Sequence, residues 1–188
     1  MSKPIQKQKD IIEAALKLFV ERGIEGTTTR EIAALAKVGE GTMFRYYKSK
    51  EALAWAIFDE PLSAFLQDME DTILKHATMK QKLRAIVEQC YVLFETDRPR
   101  CSCLLLSEHT VARRMPVGYK TPISILVRLI EESQTRGEVR PMDSQLAAAL
   151  MFGAVLRVPI FKIYGRIQQD LRDMVDEVTE TVWKMMRA

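Results

Sequence analysis

The sequence predicts an all-α protein of about nine helices, and three observations predict it. Apolar residues recur at helical spacing along nearly the whole chain. No stretch alternates apolar and polar residues between Asn-Gly or Asp-Gly turns, the pattern a sheet would need. The apolar mass comes from Ala, Leu, Ile, Val and ten Met, while aromatics supply only 7% of the 188 residues. A hydrophobic fraction of 47% excludes disorder and collagen-like repeats. The length suits one large domain, or a small module joined to a larger one.

Taken in order, a first helix spans about residues 4–22, with Ile11, Ile12, Ala15, Leu18 and Phe19 inward, and Gly23 stops it. Thr28-Thr29-Arg30-Glu31 has the spacing of a capping box: the Thr28 hydroxyl accepts from the Glu31 N–H and the Glu31 carboxylate reaches back. A short helix runs on to Ala36, breaks near Lys37-Val38-Gly39, and another follows from Glu40 to Tyr47. Ser49-Lys50-Glu51 opens a fourth helix to Phe58, and Pro61 forces a kink or restart before the stripe Leu62, Phe65, Leu66, Met69, Ile73. Further helices are expected at 79–96, 99–113, 117–137, 143–164 and 167–187. The first of these carries Leu83, Ile86, Val87, Cys90 and Phe94 inward, and the last Leu171, Met174, Val175, Val178, Val182 and Met185.

Residues 28–47 therefore form a helix-turn-helix. Ala33 and Ala36 let the two helices approach, and Ile32, Val38, Met43 and Tyr47 fill the angle between them. Glu40, Thr42, Phe44, Arg45 and Tyr46 are left largely outside, a set of hydroxyl, aromatic and guanidinium groups suited to a major groove. Charge points the same way: the first 50 residues hold 10 Lys+Arg against 6 Asp+Glu, whereas the other 138 hold 18 against 19. A basic module on a near-neutral body fits a polyanion partner at one end. By spacing alone, a helical hairpin inside an ordinary bundle serves equally well.

Ile11 to Phe19, Gly23, Thr27 to Ala33, Val38 and Gly41 to Leu53 together resemble the DNA-binding domain of the TetR family of bacterial transcription regulators. The match covers about residues 5–55 without a gap; beyond it only the length and helical pattern are similar. The resemblance implies a helix-turn-helix DNA-binding domain over 1–50 and a helical ligand-binding and dimerisation domain over 51–188. It implies roles too. Thr28, Thr29 and the start of their helix would face a phosphate. Arg30 would reach a base edge. Glu40, Gly41 and Thr42 would open the recognition helix, with Gly41 allowing close approach to the groove floor. Phe44, Arg45 and Tyr46 complete the DNA-binding set, and Phe44 and Tyr46 would press on the sugar-phosphate backbone. Lys50 would anchor a phosphate. Three positions depart from the family pattern: Lys37 stands where a glycine is common, Gly39 replaces a hydroxyl cap, and Phe44 lacks a tyrosine hydroxyl.

The resemblance further implies a homodimer through the last two helices. Leu146 to Val155 is apolar nearly all round, so that helix must be covered on several sides. A pocket is expected among the helices from about 61 to 130, with candidates Phe65, Met69, Ile86, Cys90, Tyr91, Phe94, Leu105, Tyr119, Leu126 and Phe152. Few buried charges are in prospect, so the effector should be mainly apolar.

Catalysis finds no footing. His76 and His109 are the two histidines, Glu108-His109 adjoin and so point apart on a helix, and no phosphate-binding glycine loop occurs. Cys90, Cys101 and Cys103 read as inert thiols in a reducing cytoplasm. No enzyme, metal or cofactor is expected. The longest apolar run, Leu146 to Leu156, falls short of the roughly 20 residues of a membrane span. The expected function is a cytoplasmic, homodimeric regulator, a repressor released from a near-palindromic double-stranded DNA operator by a small ligand. The rivals are a small-molecule carrier or protein-interaction module with a vestigial helix-turn-helix, and a DNA-binding activator or a partner-controlled regulator without a small ligand.

Overall fold

The computed structural model describes residues 3–106 and 118–188. Among them are nine α-helices: α1 (Lys3–Arg22), α2 (Thr29–Leu35), α3 (Glu40–Tyr46), α4 (Lys50–Leu74), α5 (Met79–Thr96), α6 (Arg98–Leu106), α7 (Pro122–Thr135), α8 (Ser144–Ile163) and α9 (Val175–Met186). A 3-10 turn, Leu171–Met174, precedes α9, and the one extended pairing among the described residues is an antiparallel bridge between Val139 and Arg187. The end of the helix predicted at 99–113, the first residue of that at 117–137, and the pair Glu108-His109 lie outside the described residues.

Two expectations about elements change. First, α4 is a single helix from Lys50 to Leu74 with Pro61 inside it, where a restart was expected. The apolar stripe runs on both sides of the proline, with Ile57, Phe58, Leu62, Leu66 and Met69 all buried, and packing holds the helix across one lost hydrogen bond. The helix expected at 143–164 forms as α8 and runs through Pro159; by length and composition it could cross a membrane, a test that the core helix of a soluble protein also passes. Second, the last helix begins at Val175 and not near 167, because Asp170 accepts from the Arg172 N–H at 2.9 Å and starts a 3-10 turn.

The chain divides into two compact units. The first comprises residues 3–62 and 97–106 of those described, so it takes in the first half of α4 and the later helix α6. In it α1 packs on α2 and α6, and α2 on α3. Its core joins Ile11, Ala15, Phe19, Ile32, Met43, Leu53, Ile57 and Phe58 to Cys103 from α6. The second unit comprises residues 63–96 and 118–188. There α8 packs on α7, α5 and α9, and α9 packs on α5.

Pro159 has a consequence in the second unit. It has no N–H to give the carbonyl four residues back, that of Val155, and the buried Tyr91 hydroxyl donates to that oxygen at 3.1 Å. Burial pushes the Tyr91 phenol well above its ordinary value, so it stays a donor. In the last turn of α8 the buried Lys162 pairs with Glu95 at 2.9 Å, and the same Glu95 oxygen accepts from the Leu171 N–H at 3.0 Å. The connection between α8 and α9 is thereby tied to the last turn of α5.

Candidate nucleic-acid interface

The capping box forms as read from the sequence. The Thr28 hydroxyl accepts from the Glu31 N–H at 3.3 Å, and the Thr28 N–H and hydroxyl donate to Glu31 Oε2 at 2.9 and 2.7 Å. Those hydrogen bonds from Thr28, with Arg22 at 2.8 Å on the other oxygen, hold the Glu31 carboxyl below its ordinary value. Helix α2 ends in a Schellman arrangement: the Lys37 N–H donates to the Ala34 carbonyl at 3.1 Å and the Val38 N–H to the Ala33 carbonyl at 3.0 Å. Lys37 sits between them at φ 55°, a left-handed conformation that accounts for the glycine common at this position in the resembled family. Gly39 then caps α3 with its backbone alone: its carbonyl accepts from Thr42 and Met43 at 2.8 and 3.1 Å, and no side chain takes part.

Met43 is fully buried in the angle between α2 and α3. At 100° per residue this leaves Glu40 with Phe44, and Gly41 with Arg45, as neighbouring rows, and all four are exposed. Tyr46 departs from its expected place outside. It is half-buried and packs on the core of the first unit, because three residues on from Met43 is only 60° round the helix. Thr42 is half-buried as well. On α2, Arg30 is exposed and has no hydrogen bond or ion pair among the described residues. Thr29 is half-buried and donates its hydroxyl to Glu40 Oε1 at 2.6 Å, which links the first turn of α2 to the first residue of α3.

Lys50 proves to be part of the scaffold. Its ammonium donates to the Thr27 carbonyl at 2.9 Å and the Glu25 carbonyl at 3.4 Å, tying the head of α4 to the loop between α1 and α2. Thr27 closes the same loop by donating to the Gly23 and Leu18 carbonyls at 2.9 and 3.3 Å. Gly26 is obligatory there, since a Cβ would lie 2.4 Å from the Arg22 carbonyl oxygen. Sequence reasoning passed over Gly26 and the Thr29–Glu40 bond; both depend on chain segments meeting across a turn, and spacing carries no sign of that. Gly41 is the opposite case. A Cβ on it would meet nothing within 4 Å, so nothing inside the protein requires a glycine.

Of the ten residues proposed for an effector pocket, nine lie in the second unit and Leu105 lies in the first. Met69, Ile86, Tyr91, Phe94 and Leu126 are buried, and Tyr91 spends its hydroxyl on Val155. Phe65, Cys90, Leu105, Tyr119 and Phe152 are half-buried, with the Tyr119 hydroxyl 3.3 Å from that of Ser63. The same unit bears an exposed and largely apolar row along α8: Leu146 (54% exposed), Leu150 (46%) and Phe161 (43%), with Ala149, Gly153 and the charged Arg157 between them, the Arg157 guanidinium lying 5.6 Å from the centre of the Phe161 ring.

Comparison with known proteins follows the same division. Residues 11–57 match the model of bacterial regulatory proteins of the tetR family, and residues 58–185 match that of the YsiA-like protein C-terminal region. The chain is 29% identical over 154 residues to the fatty acid metabolism regulator protein of Bacillus subtilis, covering 79% of each. It is 29% identical over 146 residues to the transcriptional regulator RutR of Escherichia coli K12, covering 74% of this chain and 67% of that one. A crystal structure of the transcriptional regulator FadR from Bacillus subtilis in complex with stearoyl-CoA superposes with a TM-score of 0.79 at 25% identity, covering 93% of this chain and 96% of that chain. The helix-turn-helix of the first unit and the helical body of the second are thus both accounted for, and the chain belongs to the TetR family of bacterial transcription regulators.

Proposed function

We propose that this regulator is a homodimeric repressor that binds a near-palindromic operator and leaves it on binding a long-chain acyl-CoA. The observation that carries the DNA half is the exposed face of α3 together with an exposed Arg30 that has no partner among the described residues, and a glycine at position 41 that no contact among them explains. A helix face open to that degree admits close approach of a groove edge. The apolar row on α8 supports the dimer. Gly153 lies in that row, a Cβ there would meet nothing, and a second copy brought up against it would bury Leu146, Leu150 and Phe161. The effector class follows from the relatives, one a regulator of fatty acid metabolism and one a complex with stearoyl-CoA. The half-buried Phe65, Cys90, Tyr119 and Phe152 are the residues we assign to it, and the buried Met69, Ile86, Tyr91, Phe94 and Leu126 belong to the core of the same unit. Release requires only that the ligand favour a dimer whose reading heads no longer match successive major grooves.

The test is a gel-shift titration on DNA flanking the protein's own gene, at two salt concentrations and with excess competitor. A discrete, salt-sensitive complex that stearoyl-CoA dissolves and free coenzyme A does not is the expected result. Absence of any specific complex, with stearoyl-CoA still raising the melting temperature, would favour the carrier reading.

A further inference from the structure

We propose that Glu40 selects a cytosine in the operator, and that Thr29 is the positioning residue that aims it. The inference rests on the DNA-binding reading above. Glu40 is exposed on the outer face of α3, beside Gly41, where the chain leaves open space. One carboxylate oxygen is fixed by the Thr29 hydroxyl at 2.6 Å, across the turn of the helix-turn-helix. A carboxylate only accepts hydrogen bonds. With one oxygen held, the other presents acceptor positions and no donor.

The major-groove edges of the four bases answer such a group differently. Guanine offers N7 and O6 and thymine offers O4, all acceptors that repel a carboxylate. Adenine offers a donor at N6 with the acceptor N7 next to it, so attraction and repulsion are adjacent. Cytosine offers the N4 donor with no acceptor on its own major-groove edge, and is the base whose pairing with a carboxylate side chain the groove geometry favours. The exposed Arg30 on α2 has the opposite chemistry, donors only, and is suited to guanine. The Thr29 hydroxyl proton is committed to Glu40, so a phosphate at the start of α2 would be met by the backbone N–H of Thr29 and not by its side chain.

The experiment selects binding sites from a random duplex pool with the full-length protein, and with E40Q, E40A and T29V. The wild-type protein is expected to enrich one position per half-site for cytosine. E40Q keeps an oxygen that can accept from Thr29, so the turn stays stapled, but it adds a donor; preference at that position should move to adenine, with the affinity for the cytosine site falling about ten-fold. T29V should flatten preference at the same position, so that affinity for the cytosine site falls more than affinity for the same site with that base pair changed, and any loss of melting temperature from the missing bond acts on both sites equally. A purely structural bond would instead weaken every site alike. Should E40Q and E40A select the wild-type sequence, with affinity rising evenly over all DNA, Glu40 is a repulsive charge and the inference falls while the regulator reading stands. Should the wild-type protein enrich no sequence, both fall.

Discussion

Gly41 lies inside α3, where alanine would suit the helix better by about 0.5–1 kcal/mol. Since a Cβ there has open space, G41A should raise the melting temperature by a degree or more and weaken operator binding at least several-fold. Thermal melts and gel shifts on the same preparation check the pair. A variant that gained stability without losing affinity would remove the groove-approach argument. Lys50 holds two loop carbonyls and is also the residue we propose for a phosphate contact. K50A should lower affinity for all sequences and reduce the salt slope by about one, as loss of a phosphate contact does. It should also cost about 1 kcal/mol of stability, because the Thr27 and Glu25 carbonyls lose their donor. Urea unfolding separates the second effect from the first. The charge of Lys50 and its place before an apolar run were legible in the sequence; the two carbonyls it holds were not, since they come from a loop more than twenty residues upstream.

At the scale of elements, the two prolines inside helices show how packing overrides propensity. Pro159 strands the Val155 carbonyl in a buried place, and Tyr91 satisfies it from α5. Y91F should therefore cost about 1–3 kcal/mol, the penalty for a buried acceptor left unpaired, with little change in helix content. Denaturant unfolding measures it; a loss below 0.5 kcal/mol would mean that the carbonyl finds another donor. The row Leu146, Leu150, Gly153, Phe161 makes a separate prediction. L150E places a charge in the middle of an apolar surface that a twin subunit should cover, so sedimentation at micromolar concentration should report a monomer where wild type gives a dimer. Circular dichroism should be unchanged, since Leu150 is 46% exposed within one chain.

For the whole molecule, stability should depend on acid in a defined direction. The Glu138 carboxyl is held below its ordinary value by the Met79 N–H at 2.6 Å and by Arg136, and Glu70 by Lys120 and Arg128. Burial raises Glu95, but the Leu171 N–H and Lys162 outweigh it and leave it lowered; Asp170 is lowered by Arg172. A carboxyl whose folded value lies below its unfolded one stabilises the fold fully above the unfolded value. That contribution is lost as pH falls through the folded value. The melting temperature should thus be nearly level from pH 7 to about 5, then drop below the ordinary glutamate value of 4.5. E138Q should melt lower at pH 7 and lose less on acidification. A melting temperature that rose below pH 4.5 would contradict the assignment.

The sequence by itself determined that this chain is helical, that a capped helix pair lies near its beginning, and which side of each helix is apolar. These properties follow from local chemistry: the Thr28–Glu31 box, the break at Lys37-Val38-Gly39 and the 3.6-residue recurrence act within a few residues of one another. The strained turn at Lys37 was legible only through the family resemblance, which puts a glycine at that position. Tertiary structure alone decided the rest. It carried α4 and α8 through their prolines, since the apolar contacts on either side outweigh one missing hydrogen bond. It drew α6 and Cys103 into the core of the first unit and turned Tyr46 partly inward. It also brought Thr29 against Glu40 and left the outer row of α8 bare, outcomes set by which segments meet in space and by no pattern along the chain.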